Sequence, residues 1–303
     1  QGEVTSTHSD GRYVGVSIFD SNLDTQLNST IDIIGIVHQS LNASSVHGVL
    51  LRNVHSVGVQ GTLTLIGTNF VESKVSVGVY LTYVVIANME LVIHGLGDIG
   101  VRSNSCTFSP ANLAINGEAE SIGIDLMSSF FLPSTQHFNY TLIGSGTPGI
   151  RVLGNDLEVS MTQGSQFVVD GYMESHVNVS FVGEETGSAV QFLKGSVHSQ
   201  NVNFLHAGET VIGDGLRCTS HIQLESPSAM VCGEIESASI SIESPILLTC
   251  DTTISVISVV PEHMMITSAA GNFALDLNNS PGNISILNSV SSYQLVDILT
   301  PSP

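Results

Sequence analysis

The chain of 303 residues is long enough for a sizeable core and carries seven Lys and Arg against twenty-seven Asp and Glu, a formal charge of −20. Nucleic acids, which need a basic surface to displace their counterions, are excluded as partners, and anionic membranes and acidic polysaccharides are disfavoured on the same ground. No apolar run reaches the ~18–20 residues that span a bilayer, so no membrane insertion is expected in this segment.

The chain opens on Gln1 with no basic-then-apolar leader and reads as a mature or excised segment. Residues 1–45 are irregular and are expected to form N-terminal coils. From 46 to 265 two short units alternate. One is a strand that runs into a glycine: LTLIGTN (63–69), LVIHGLG (91–97), LAINGEA (113–119), YTLIGSG (140–146) and VSFVGEE (179–185). The other is a glycine that leads into a strand: VGVYL (77–81), IGVRS (99–103), IGIDL (122–126), PGIRV (148–152) and DGLRC (214–218).

Gly67, Gly95, Gly117 and Gly144 follow one another at intervals of 28, 22 and 27 residues, and Pro227 to Pro245 is a step of 18. Alternation of apolar and polar residues marks strands with one buried face. The glycines mark bends or close backbone approach. Val, Ile and Thr favour strands, and too few Lys and Arg remain to give helices a polar face.

Such a period holds two or three short strands with their turns. The expected fold is therefore all-β: a single-stranded parallel β-helix (a β-solenoid), right-handed, with coils of roughly 18–28 residues, continuous over 1–303. A pair of β-sandwiches is the structural alternative, because regular short strands suit it too. Further on, LRCTSHIQLESPS, MVCGEIESASISIESPI and LTCDTTISVISVVPEH read as three tighter coils. Residues 266–298 keep their alternation as C-terminal coils, and 299–303 read as a linker or tail. No amphipathic cap is seen at either end, so terminal coils are expected to present unpaired strand edges.

The rungs GVYL…LVIHG and GIDL…YTLIG resemble those of the right-handed parallel β-helix superfamily over most of residues 46–246. That superfamily includes pectate-lyase-like enzymes, phage tailspikes and autotransporter passengers. The resemblance implies stacked coils and inward aliphatic columns; it extends to the architecture alone. The superfamily's polygalacturonase pattern of Asn-Thr-Asp, Asp-Asp, Gly-His-Gly and Arg-Ile-Lys does not occur here.

Cys218, Cys232 and Cys250 fall at similar places on adjacent coils, where ~4.8 Å separates equivalent positions, within the Cα range of a disulfide. A disulfide and a stack of buried thiols both stay open, with Cys106 far off and unpaired. Asp98, Glu118, Glu184 and Glu209 each follow a glycine-ended strand or its equivalent and are expected along one edge. Ca²⁺ would relieve their repulsion, while solvated, splayed acids are the plainer account; no other cofactor is implied.

Asn28, Asn42, Asn139, Asn178, Asn278 and Asn283 head Asn-x-Ser/Thr triplets and are candidate glycosylation sites of a secreted glycoprotein. Arg102, Arg151 and Arg217 follow equivalent glycine-led strands and are expected to share a face. Histidines are spread along the chain, with His47 and His55 eight residues apart and His198 and His206 repeating that interval. No residue set reads as catalytic, and with 6% aromatics and no Trp the chain has few platforms for sugar rings.

The expectation is a non-enzymatic extracellular structural or adhesive rod, a segment or subunit of a cell-surface fibre or filament. It self-associates end to end or meets a cell-surface or matrix partner. A polysaccharide-degrading β-helix enzyme (a lyase or glycoside hydrolase) and a glycan- or receptor-binding fibre module are the two alternatives.

Overall fold

The computed structural model describes residues 2–3, 12–23, 29–37, 45–56, 61–70, 76–132, 137–183, 187–206, 208–257, 263–270, 275–279, 283–289 and 298–299. The protein is all-β. Among the described residues there is no helix, and the paired strands run parallel. The chain divides into two compact units, Gln1–Leu157 with Asp170–Glu174, and Glu158–Val169 with Ser175–Pro303. The division falls inside the stretch that the sequence pattern treats as one continuous run.

In the first unit, alternation becomes burial. Along the strand Gly61–Asn69, Leu63 and Leu65 point inward and are fully buried, while Thr62, Thr64 and Ile66 face outward. The strand Glu90–Asn104 lies beside it, then Asn112–Met127, then Asn139–Ser145. Their pairing sets up two inward columns, Leu63–Leu91–Leu113–Tyr140 and Leu65–Ile93–Ile115–Leu142. Burying each such side chain contributes roughly 1.5–3 kcal/mol, a gain that needs the neighbouring strand on either side.

Beyond the bend, Val49, Val79, Val101, Ile124 and Ile150 form a third column. Leu51, Leu81, Leu126 and Val152 form a fourth, into which Ser103 is set, fully buried, its hydroxyl 2.9 Å from that of Ser129.

The recurring glycines stand in two facing columns. Gly35, Gly67, Gly95, Gly117 and Gly144 are successive register partners. Opposite them stand Gly48, Gly78, Gly100, Gly123 and Gly149. A Cβ on Gly35, Gly67, Gly95, Gly117 or Gly144 would overlap the carbonyl oxygen of the facing glycine. Two backbone walls therefore touch here, and only hydrogen fits between them. This is why a strand ending in glycine is answered each time by a glycine opening the next. Gly215 of DGLRC differs: it lies in the second unit at φ 102° and serves a turn.

A second column marks another corner of the same unit. Asp20, Asn53, Tyr83, Ser105 and Ser128 all have φ between 48° and 53°, and Gly154 follows at 93°. Each comes one residue after a register pair: Phe19 with Arg52, Arg52 with Thr82, Thr82 with Asn104, Asn104 with Met127, and Met127 with Leu153. One left-handed residue turns the chain at every step, even where the side chain is as large as tyrosine.

The second unit repeats the logic with aromatics. Val179 and Phe181 pair with Val202 and Phe204, these with Ile222 and Leu224, and these with Ile240 and Ile242. Phe181 and Phe204 stack 5.7 Å apart, and Phe192 meets both edge-on at 5.9 Å, an arrangement that aromatic quadrupoles favour.

Candidate functional site

In the first unit Asp125 is 0% exposed and lies between two guanidinium groups. Arg102 Nε donates to its Oδ2 at 2.8 Å; Arg151 donates from Nε to Oδ1 and from Nη2 to Oδ2, each at 3.0 Å. The pleat produces this cluster, because Arg102, Asp125 and Arg151 are consecutive register partners on the outward side. The sequence placed the two arginines on one face, and they share it. It missed the aspartate, although IGVRS, IGIDL and PGIRV hold Arg, Asp and Arg at the same position. Bidentate Arg–carboxylate geometry makes the cluster a clamp across three strands.

A polar ladder runs along the strand starts of the same unit. Glu90 accepts from Thr62 Oγ1 at 3.1 Å and from Asn112 Nδ2 at 2.9 Å; Asn112 Oδ1 accepts from Asn139 Nδ2 at 3.3 Å. The ladder borders a cleft of about 440 Å³ whose lining includes Thr30, Thr62, Asn88, Glu90 and Asn112.

In the second unit, Arg217 reaches Glu236 Oε1 at 3.1 Å through Nε and Glu234 Oε2 at 3.4 Å through Nη2, in an exposed setting. It belongs to a different unit from Arg102 and Arg151, so the face expected for all three is described only for those two.

The second unit also holds an open cleft of about 580 Å³ lined by Gly183, Leu205, His206, Glu225, Ser226, Pro227 and Glu243. His206 is 3% exposed. Its Nδ1 accepts the Gly208 backbone N–H at 3.2 Å and stands 3.2 Å from the Ser188 hydroxyl. An Nδ1 that accepts a backbone N–H carries no proton, so Nε2 holds it and donates to Thr210 Oγ1 at 3.0 Å. Burial pushes the ring's pKa down to about 4. Ser188 and His206 touch, yet such a ring is a weak base and the serine is buried with it, so the pair is poorly suited to nucleophilic catalysis.

The register separates the acids expected along one edge. Glu118 stands opposite Leu96 and Ser145, whereas Asp98 lies at the bend where the pairing of 97–99 with 119–122 shifts. Glu209 stands opposite Ala189 and Ser228, in the second unit, and Glu184 lies outside the described residues. Among the described residues no three His, Cys, Asp or Glu side chains come together as metal ligands.

Cys232 and Cys250 form a disulfide, while Cys218 and Cys106 are free and buried. The similar places proposed for all three C-terminal cysteines are corrected for Cys218. Leu216 pairs with Ile235 and Arg217 with Glu236, which puts Cys218 level with Ser237 and away from Cys232. The sequence held the signal: 14 residues separate Cys218 from Cys232, too few for a step, and 18 separate Cys232 from Cys250. Burial pushes the thiol of Cys106 up to about 11 and that of Cys218 to about 12.

Of the candidate glycosylation sites, Asn139 is exposed and Asn178 half-buried, its Oδ1 accepting from Asn201 Nδ2 at 2.6 Å. Asn278 and Asn283 lie on strands, and Asn28 and Asn42 lie outside the described residues. No described helix is long and apolar enough to cross a membrane. No protein family, no curated protein and no solved structure matches the chain.

Proposed function

We propose that each unit is a stretch of single-stranded, right-handed parallel β-solenoid, and that the protein is a non-enzymatic extracellular β-helical protein with a structural or adhesive role. In this reading it is a segment or subunit of a surface fibre. The observation that carries it is where the guanidinium groups go. Arg102 and Arg151 with Asp125 in one unit, and Arg217 with Glu234 and Glu236 in the other, tie strand to strand. Charges used in this way tie neighbouring strands together.

The solenoid reading rests on the steps. A strand's parallel partner arrives 22 to 33 residues later in the first unit, its N-terminal steps (Arg12 to Ser45, Gly35 to Gly67) being longer than the expected 18–28, and the intervening chain is itself strand that pairs in the same way. Crossovers between parallel strands of a barrel or doubly wound sheet are usually helical, and the described residues contain no helix. The Cys232–Cys250 disulfide and the Asn-x-Ser/Thr triplets support an oxidising, extracellular setting. A stack that meets a second copy end to end joins it head to tail, and such contacts build filaments.

Electron microscopy and sedimentation at rising concentration test the fibre. Concentration-dependent filaments support it; lone particles at every concentration remove it. Incubation with pectin and alginate, with and without Ca²⁺, tests the enzyme alternative, and new reducing or unsaturated ends would replace the structural reading. A calcium titration that leaves the melting temperature unchanged removes the Ca²⁺ ladder.

A further inference from the structure

We infer that His206 is an acid-sensitive latch: its neutral ring holds the corner between the strands Val197–His206 and Glu209–Ile212 closed, and a second proton releases it.

The latch is built from three contacts on one buried ring. Nδ1 takes the Gly208 N–H and faces the Ser188 hydroxyl, and Nε2–H is given to Thr210. Ser188 and Thr210 are themselves buried, so water does not compete for these bonds. The Ser188 carbonyl also accepts the Glu209 N–H at 2.8 Å, which fixes the corner to the strand Ala189–Lys194. Gly208 is required at this point, because a Cβ there would overlap the Ser188 carbonyl oxygen and hydroxyl.

Protonation reverses the polarity of Nδ1. The Ser188 hydroxyl rotates and accepts, but the Gly208 N–H belongs to the backbone and cannot turn round. Two donors then face each other inside a buried corner, and the Gly208 bond breaks. The charged ring has somewhere to go. The cleft beside it is lined by Glu225 from the strand Leu216–Glu225 and Glu243 from Ser239–Val256, and Glu209 lies on the ring's own corner. No Lys or Arg lines the cleft among the described residues. Gly183, the register partner of His206, and Ser188 bring no charge. The carboxylates draw an imidazolium outward while burial keeps the ring uncharged at neutral pH.

Amide hydrogen exchange on the full chain at pH 7, 6, 5 and 4.5, corrected for intrinsic rates, tests the latch. The amides of Gly208 and Glu209 are expected to lose at least ~10-fold in protection between pH 6 and 4.5, while Val202 and Phe204 keep theirs. His206→Gln, which keeps an acceptor and a donor without the titration, is expected to abolish that pH dependence. Equal loss in the variant, or no loss in the natural chain, overturns the proposal. Should the variant fail to fold, ring ¹⁵N shifts of the natural chain decide. Titration of His206 in step with the Gly208 amide supports the latch, and titration without an amide response sinks it.

Discussion

The carbonyl oxygen of Gly100 occupies the place that a Cβ on Gly95 would need, although the two residues are only five apart in the chain. The same overlap recurs at Gly67 with Gly78, Gly117 with Gly123 and Gly144 with Gly149, so it is a property shared by the paired strands of the first unit. Gly95→Ala is therefore expected to cost about 3 kcal/mol or more, the upper end of overpacking, because the obstacle is backbone and cannot rotate away. At Gly97 the nearest atom would stand at 3.0 Å, and Gly97→Ala is expected to cost less. Urea midpoints of the two variants check the order; a silent Gly95→Ala contradicts the close approach.

Asp125 answers two arginines, and this makes its removal worse than theirs. Asp125→Asn leaves two guanidinium groups side by side without their counter-charge and is expected to cost about 3 kcal/mol. Arg102→Ala leaves the bidentate Arg151 pair intact and is expected to cost less. Denaturant unfolding of both variants at moderate salt gives the comparison.

Stability is expected to fall above pH 9. The thiols of Cys106 and Cys218 ionise near 9 when unfolded but only at about 11 and about 12 when buried. In that window the unfolded chain has fewer protons than the folded one, so raising the pH favours unfolding. A tenfold difference in proton affinity between the two states corresponds to about 1.4 kcal/mol, which makes the combined loss on the order of several kcal/mol by pH 11. Cys106→Ala and Cys218→Ala are each expected to flatten the alkaline limb. A thiol reagent near neutral pH is expected to label neither residue until the chain unfolds.

The Cys232–Cys250 disulfide closes a loop of 18 residues. On the loop-entropy account its loss costs about 3 kcal/mol. Melting with and without a reductant, against a Cys232→Ser/Cys250→Ser variant, measures it. The loss is expected to be equal in the two cases.

The sequence made the all-β class and the strand spacing readable because Gly67, Gly95, Gly117 and Gly144 are themselves register partners, so intervals in the chain are steps in space. It also anticipated the inward Leu and Ile columns, since alternation alone fixes which side is buried. Contacts made between outward side chains of different strands were harder to see. Asp125 and the Glu90 ladder depend on register across steps of unequal length, and an error of one residue swaps the faces. His206 depends on a corner whose partners, Ser188 and Thr210, lie on two other segments. Cys218 was misplaced because similar spelling, LRC beside MVC and LTC, outweighed a separation too short for a step.

The most direct test of parallel, in-register stacking is a pair of cross-links on the outward face. Ala114 stands opposite Thr141, and Ile143 lies one outward position further along the same strand. Ala114→Cys with Thr141→Cys is expected to oxidise quickly and completely in the folded chain, because neighbouring parallel strands bring Cα atoms within disulfide range. Ala114→Cys with Ile143→Cys is expected to lag well behind. Equal rates, or no bond in the first pair, would contradict the register on which the stacked columns, the arginine clamp and the glycine walls all depend.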